Sequence, residues 1–189
     1  MSTNLAPDLV RLARAADYAA RQHIAQRRKG ERAEPYINHL TEVAALLAEA
    51  TDGDDVVLLM GGLLHDTLED TDATYEDLVE RFGADVAALV AEVTDDKSLP
   101  KEERKHLQIT KTAGKSRRAK LLKLADKTSN LRGLVASPPK GWPPERLRDY
   151  VVWAYDVVRS CRGLNARLEQ AFDEAHDKAS RHYARPKGP

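Results

Sequence analysis

The chain has 189 residues, of which 42% are apolar and 32% charged, a composition typical of one globular domain with a sizeable core. Lys plus Arg and Asp plus Glu each number 30, so there is no net charge to attract nucleic acid or a membrane surface. The single cysteine, Cys161, excludes an internal disulfide framework, and the longest apolar run, Val56–Leu64, is too short to span a bilayer as a helix.

Apolar residues recur at helical spacing along nearly the whole chain, and no alternating strand pattern competes with them. Capping signals divide the pattern into segments: Thr74 with Asp77 is typical of a helix start, and Gly83 is typical of a helix end. The predicted helices cover about residues 5–20, a segment from 38, 55–68, 75–82, 84–93, a segment from 100, 115–136 and 146–175. We therefore expect an all-α bundle of about eight or more helices, in one domain over residues 1–180 with a flexible tail at 181–189.

The third predicted helix leads to the most informative part of the chain. A turn at 52–54 is expected to cap it, and Gly61 and Gly62 permit close backbone packing inside it. A buried strand over 56–60 is the alternative, because so short an apolar run does not reveal its period.

Directly after this apolar run comes the sequence His65-Asp66-Thr67-Leu68-Glu69-Asp70-Thr71. Charged side chains next to a buried segment are costly unless they are compensated, and a bound cation is the simplest compensation. Residues four apart share a helix face, so His65 is expected above Glu69 and Asp66 above Asp70, all pointing into one cleft.

Two further ligands are needed to complete a coordination sphere. His39 opens a helix after an exposed loop, and Asp126 interrupts an otherwise apolar helical face, so these two residues are the best candidates. Two imidazoles and two carboxylates without sulfur favour Mn²⁺, Fe²⁺ or Zn²⁺, with room for water at an open position. An oxygen-rich site of this kind suits phosphate esters.

The order of these residues resembles the HD phosphohydrolase superfamily, and more closely the hydrolase domain of RelA/SpoT-type alarmone enzymes. The segments that carry this resemblance are Tyr36-Ile37-Asn38-His39, residues 63–71, Val93-Thr94-Asp95-Asp96-Lys97 and Lys123-Leu124-Ala125-Asp126-Lys127 with Asn130-Leu131. The resemblance covers about residues 15–163. Because no synthetase or regulatory domain accompanies it, the resemblance is to the single-domain small alarmone hydrolases.

Members of that family remove the 3′-pyrophosphate from guanosine tetra- or pentaphosphate, with Mn²⁺. The resemblance implies an enzyme that binds one divalent ion, Mn²⁺ with Zn²⁺ or Fe²⁺ as alternatives, through His39, His65, Asp66 and Asp126. It also implies that Glu69 and Asp70 orient or deprotonate the attacking water.

A substrate that carries several phosphates needs local cations, because the metal site is itself acidic. Arg146 and Tyr150 lie one helical turn apart, so one can hold a phosphate while the other packs on a ribose or base. By resemblance, the residues expected to line the substrate pocket are Arg28, Lys29, Lys101, Asn130, Arg146 and Tyr150. Two positions depart from the family pattern: Leu40 stands where relatives usually have proline, and the pair Thr128-Ser129 replaces one that usually contains a bulky or aromatic residue.

Two other functions stay open at this point. One is a phosphatase acting on NADPH or another nucleotide, which the departure beside Asn130 allows. The other is a non-catalytic alarmone-binding or toxin-neutralising partner protein, against which the presence of Glu69 and Asp70 argues. We expect a cytoplasmic location, since the N-terminus lacks an apolar signal segment, and we expect no nucleic-acid or membrane partner.

Overall fold

The computed structural model describes residues 5–184, which form ten α-helices and one short 3-10 helix. The helices are α1 (Leu5–Gln22), α2 (Ile37–Thr51), α3 (Val56–Leu64), α4 (Thr67–Asp70), α5 (Tyr75–Phe82), α6 (Ala84–Val93), α7 (Lys101–Thr112), α8 (Arg117–Ala136), α9 (Pro144–Val158), the 3-10 helix (Arg159–Cys161) and α10 (Ala166–His182). This arrangement confirms the expected all-α bundle. None of the helices within 5–184 has both the length and the apolarity needed to cross a membrane.

Helix α8 lies at the centre of the bundle, where it contacts α2, α9 and α10. Its residues Leu122, Leu124 and Leu131 are buried in the larger of two apolar clusters. Helix α3 contacts α1, α2 and α6, and its C-terminal half belongs to the second cluster. Because α2, α3 and α8 contact one another in pairs, polar residues placed on them can share one site.

Helix α3 is helical throughout residues 56–60, so the strand alternative was wrong. Its N-cap is Asp55, whose side chain accepts a hydrogen bond from the backbone N–H of Leu58 at 3.1 Å. The expected cap at 52–54 was therefore misplaced by one residue. Asp52 instead ends α2 in the left-handed region, with φ of 53°.

The paired glycines of α3 allow the close packing that the sequence predicted. A Cβ on Gly62 would lie 2.9 Å from Cδ1 of Leu47 and 3.2 Å from Cα of Ala44, both on α2. A Cβ on Gly61 would lie 2.5 Å from Cδ2 of Leu89 on α6. The absence of side chains therefore brings the end of α3 against the backbone of α2, the helix that carries His39.

Two predicted helices are interrupted. The helix expected over 55–68 stops at Leu64 and resumes at Thr67, because Asp66 leaves helical geometry with φ of −97° and ψ of 0°. The long helix expected over 146–175 is split into α9 and α10. Gly163 takes a φ of 79°, and Asn165 then caps α10 by accepting a hydrogen bond from the N–H of Leu168 at 3.0 Å.

The C-terminal segment begins as helix rather than as a flexible tail. Helix α10 continues to His182, and the hydroxyl of Tyr183 donates a hydrogen bond to the carbonyl of Leu134 on α8. Residues 185–189, the remainder of the expected tail, lie outside the described residues.

Candidate metal centre and cleft

Three buried residues from three helical segments converge on one point. His39 from the first turn of α2, His65 from the end of α3 and Asp126 from the middle of α8 each place one ligand atom within 4.8 Å of the others. Nε2 of His39 lies 3.3 Å from Oδ1 of Asp126, and Nε2 of His65 lies 3.9 Å from the same oxygen. This cluster is a candidate site for a divalent cation.

Asp66 borders the same cluster. Its Oδ2 lies 3.1 Å from Nε2 of His65 and 3.8 Å from Nε2 of His39. The hydroxyl of Tyr36 donates a hydrogen bond to this oxygen at 2.6 Å and so holds the carboxylate in place. Burial, together with the negative charge of Asp66, raises the pKa of Tyr36, so the phenol remains a donor.

The two histidines present the same ring nitrogen to the cluster. Nδ1 of His65 lies 2.9 Å from the carbonyl of Gly62, and a carbonyl can only accept, so this nitrogen carries a proton. Nδ1 of His39 lies 2.8 Å from Oγ of Ser129. Both Nε2 atoms therefore point toward the acids, and that of His65 has no well-aligned hydrogen-bond partner.

The charges of the cluster suit a cation. Burial lowers the pKa of His39, which favours its neutral form. Burial opposes the protonation of His65, but the carboxylate of Asp66 outweighs it and raises the pKa of His65 to about 9. Burial also opposes ionisation of Asp66 and Asp126, yet His65 beside Asp66 and Lys127 beside Asp126 lower the pKa values of both acids. Nε2 of His39 then faces the ionised Oδ1 of Asp126 at 3.3 Å, and a cation between them would contact both atoms.

Glu69 lies on α4 at the wall of the cleft. Its Oε2 accepts a hydrogen bond from the backbone N–H of Asp95 at 3.1 Å, and its Oε1 lies 3.8 Å from Nη1 of Arg104. Burial raises the pKa of this carboxyl above its ordinary value, and the negative charge of Asp66 acts in the same direction. A carboxylate with a raised pKa is a better proton acceptor.

Asp70 is held by residues from two other segments. Its Oδ2 accepts a hydrogen bond from Nε2 of Gln26 at 3.0 Å, and its Oδ1 pairs with Nζ of Lys97. The backbone leaves helical geometry between His65 and Thr67. The stacking of His65 on Glu69 and of Asp66 on Asp70, which was predicted for an unbroken helix, therefore does not apply. Glu69 and Asp70 nevertheless line the same cleft as His65, Asp66 and Asp126.

The cleft above the metal cluster has a volume of about 660 Å³ and a cationic wall. Five of the six residues expected to bind substrate line it, namely Lys29, Lys101, Asn130, Arg146 and Tyr150. Desolvation and the nearby charge of Arg146, which lines the same cleft, lower the pKa of Lys101. Arg28, the sixth, lines an adjoining cavity of about 250 Å³ that shares Lys29, Asn130 and Tyr150 with the cleft.

Three aromatic rings also line this cleft. Tyr150 lies between Trp142 and Trp153, with ring centroids 5.9 and 5.3 Å away. The guanidinium of Arg146 lies 4.0 Å above the ring of Trp142, and Nζ of Lys127 lies 4.5 Å above that of Trp153. Burial raises the pKa of Tyr150 to about 12, so it remains a neutral hydrogen-bond donor.

Several residues of the site were missed by reasoning from the sequence. Lys97 was not selected, although it follows the acidic pair Asp95-Asp96 in a loop that a phosphate could reach. No sequence pattern indicated that Gln26 would reach the site or that Tyr36 would contact Asp66, because both contacts depend on how the loop before α2 folds back. Asn130 donates to Oδ1 of Asp126 at 2.6 Å, so it contacts the cluster as well as the cleft.

Comparisons with known proteins agree with this geometry. Residues 15–149 match the HD domain family HD_4. The guanosine-3′,5′-bis(diphosphate) 3′-pyrophosphohydrolase MESH1 of Drosophila melanogaster is 53% identical over 157 residues, which cover 83% of this chain and 88% of the relative. The Homo sapiens protein of the same name is 48% identical over 165 residues, or 87% of this chain and 92% of the relative.

A solved structure shows the same fold at high identity. It belongs to a metazoan ortholog of SpoT that hydrolyzes ppGpp and plays a role in starvation responses. The TM-score is 0.85 and the identity is 49%, with 89% of this chain and 94% of that chain covered. Since the family match spans well over half of the sequence and the relatives are aligned over most of their length, the chain belongs to the HD domain family.

Proposed function

We propose that this protein is a metal-dependent guanosine-3′,5′-bis(diphosphate) 3′-pyrophosphohydrolase, which converts guanosine tetra- or pentaphosphate to GDP or GTP and pyrophosphate. The observation that carries the proposal is the convergence of His39, His65 and Asp126 below a cleft with a cationic wall. The name and coverage of the MESH1 relatives support the same reaction.

The proposed cation is Mn²⁺, with Zn²⁺ or Fe²⁺ as alternatives, and its ligands are His39, His65, Asp66 and Asp126. The donor set of two imidazole nitrogens and two carboxylates fits such an ion, and the buried Nε2 of His65 already lacks an aligned partner. When bound, a divalent cation supplies Lewis acidity, which lowers the pKa of water and offsets charge on phosphoryl oxygens.

We assign the proton acceptor for the attacking water to Glu69. Its raised pKa favours uptake of a proton, and its backbone hydrogen bond from Asp95 holds it in the cleft wall. Asp70 is held by Gln26 and Lys97, so its proposed task is to orient the water rather than to move its proton.

The cations and rings of the cleft are proposed to bind the nucleotide. Lys29, Lys101 and Arg146 neutralise phosphates, since a highly charged ligand cannot enter a cleft with an acidic floor unless cations surround it. Tyr150 and Trp142 offer apolar faces for a ribose or base next to these charges. Arg28 reaches the ligand from the adjoining cavity.

The proposal is tested by turnover of guanosine tetraphosphate with Mn²⁺, measuring pyrophosphate and GDP as products. NADPH and a deoxynucleoside triphosphate serve as competing substrates, compared by kcat/KM. The Asp70→Asn variant should lose turnover but keep the metal. A higher kcat/KM for NADPH than for guanosine tetraphosphate would assign the protein to the phosphatase alternative instead.

The location of the reaction is proposed from the one cysteine of the chain. Cys161 is buried and forms no disulfide, and burial raises the pKa of its thiol to about 11. Such a residue suits a reducing compartment, and we place the enzyme in the cytoplasm.

A further inference from the structure

A hydrogen-bond network that is buried at its His39 end connects this candidate metal ligand to the surface. Nδ1 of His39 lies 2.8 Å from Oγ of Ser129 on α8. The same hydroxyl lies 2.7 Å from Oε2 of Glu42, which sits one turn after His39 on α2. Arg132, one turn after Ser129, places its Nη1 3.3 Å from the other oxygen of Glu42. These hydrogen bonds therefore run from α2 to α8, back to α2 and again to α8.

Counting protons fixes the direction of each hydrogen bond. A carboxylate can only accept, so Ser129 donates its one proton to Glu42. The hydroxyl oxygen then has only lone pairs left for His39, and Nδ1 must carry the proton in that contact. This leaves the lone pair of Nε2 directed toward Asp126, at 3.3 Å.

Without the hydroxyl, the opposite tautomer would be favoured. Nε2 of His39 faces Oδ1 of Asp126 at 3.3 Å and Oδ2 of Asp66 at 3.8 Å, and either carboxylate would attract a proton to that nitrogen. A protonated Nε2 cannot bind a metal. His65 has no comparable dependence on a side chain, because a backbone carbonyl holds its Nδ1.

We propose that Ser129 and Glu42 are positioning residues that select the metal-binding tautomer of His39 and increase the affinity of the site for its cation. Partners of this kind orient a ligating imidazole and raise its basicity, and their loss typically costs 10- to 100-fold in metal affinity. The hydroxyl that holds His39 is itself bonded to the carboxylate of Glu42, whereas His65 is held by the neutral carbonyl of Gly62. The inference rests on the metal centre of the proposed function, but it concerns metal binding and not the identity of the substrate.

The chain offers a matched control beside Ser129. Thr128 is also fully buried on α8, but its hydroxyl donates to the carbonyl of Leu124 in its own helix. Thr128→Val thus removes a buried hydroxyl one residue away without touching His39. Glu42→Gln changes only the half-exposed end of the hydrogen-bond network. The side chain at position 42 then keeps an acceptor oxygen but loses its negative charge.

The experiment titrates Mn²⁺ into the metal-free full-length chain by calorimetry. Ser129→Ala should bind about 10- to 100-fold more weakly than the wild type, Glu42→Gln should fall between the two, and Thr128→Val should stay within about twofold. In ¹⁵N-histidine NMR spectra of the metal-free protein, His39 should carry its proton on Nδ1 in the wild type and on Nε2 in Ser129→Ala.

Each result separates this inference from the proposed function. A Ser129→Ala variant that binds Mn²⁺ within twofold of the wild type, or a Thr128→Val variant that loses as much affinity, would overturn the positioning role even if the enzyme hydrolyses guanosine tetraphosphate. If Ser129→Ala fails to fold, unchanged affinity in Glu42→Gln and an Nε2 proton in the wild type would overturn it. A wild-type chain that takes up no Mn²⁺ would overturn both, whereas Mn²⁺ uptake with the expected order of variants and no alarmone turnover would overturn the function alone.

Discussion

Binding of Mn²⁺ should release one proton from the protein between pH 6 and pH 8, and that proton should come from His65. A histidine must be neutral to bind a metal, and the pKa of His65 without metal is raised to about 9. His39 contributes no proton because burial lowers its pKa, and Asp66 and Asp126 are already ionised because their pKa values are lowered.

The size of the effect follows from the difference between pKa and pH. At pH 7 the proton must leave a group with a pKa of about 9, which costs about 3 kcal/mol of binding free energy. Each pH unit below the pKa weakens binding about tenfold, so the affinity should rise about 100-fold between pH 6 and pH 8. A bound cation then replaces the imidazolium as the positive partner of the two acids.

Calorimetric titration in buffers of different ionisation enthalpy measures the number of protons released. The exposed residue His106 provides a control, since His106→Gln should release the same single proton. Release of two protons would mean that His39 is also charged without metal. Release of none would mean that the cluster binds Mn²⁺ without His65, and the reasoning about the acids around it would be wrong.

Three further outcomes follow from the same geometry. Removing the metal by chelation should lower the melting temperature more at pH 8 than at pH 6, because the ion binds more tightly at pH 8 and joins α2, α3 and α8. A free ion at 100 times its Kd adds about 2.7 kcal/mol to the free energy of unfolding. Equal shifts at the two pH values would contradict this prediction. Glu69→Gln should abolish turnover yet raise the melting temperature of the metal-free protein at neutral pH, because burial raises the pKa of this carboxyl and its charged form therefore opposes folding; a melting temperature below that of the wild type would contradict this. Gly62→Ala should lower the free energy of unfolding by about 1–3 kcal/mol, because the added Cβ would meet Leu47 and Ala44. Gly114→Ala is the control and should not destabilise the fold, because its Cβ would have only the carbonyl oxygen of Lys111 nearby, at 3.7 Å. Equal chemical denaturation curves for the two variants would refute the packing argument.

Local patterns predicted most helices because the signals that begin and end them lie within a few residues. Thr74 and Asp77 form the expected capping box, and helix α6 begins and ends where the apolar pattern does. The long helix over 146–175 was predicted wrongly because its apolar spacing continues through Gly163 and Asn165. Spacing alone does not reveal a break when a turn happens to keep the same residues facing the core.

The convergence of His39, His65 and Asp126 was predictable for a chemical reason. A charged or imidazole side chain on an apolar helix face is costly, so its presence indicates a compensating partner even when the partner is distant in sequence. The residues around these three carry no such signal. Ser129, Gln26 and Tyr36 are ordinary polar residues, and their contacts exist only because of how α8 is rotated against α2 and how the loop before α2 folds onto Asp66 and Asp70.

Metal ligands and the residues that hold them are under different constraints as the sequence changes. A ligand is constrained by the ion, but a residue that holds a ligand is constrained only by the need for a correctly placed acceptor. The pair Thr128-Ser129 departs from the usual pattern of the family it resembles, yet in this structure Ser129 supplies such an acceptor to His39 and donates a hydrogen bond to Glu42. A larger residue at 129 would have to make that contact differently, and Glu42 would then face only Arg132. Positions 42 and 129 should therefore change together among relatives, while position 39 should not change at all.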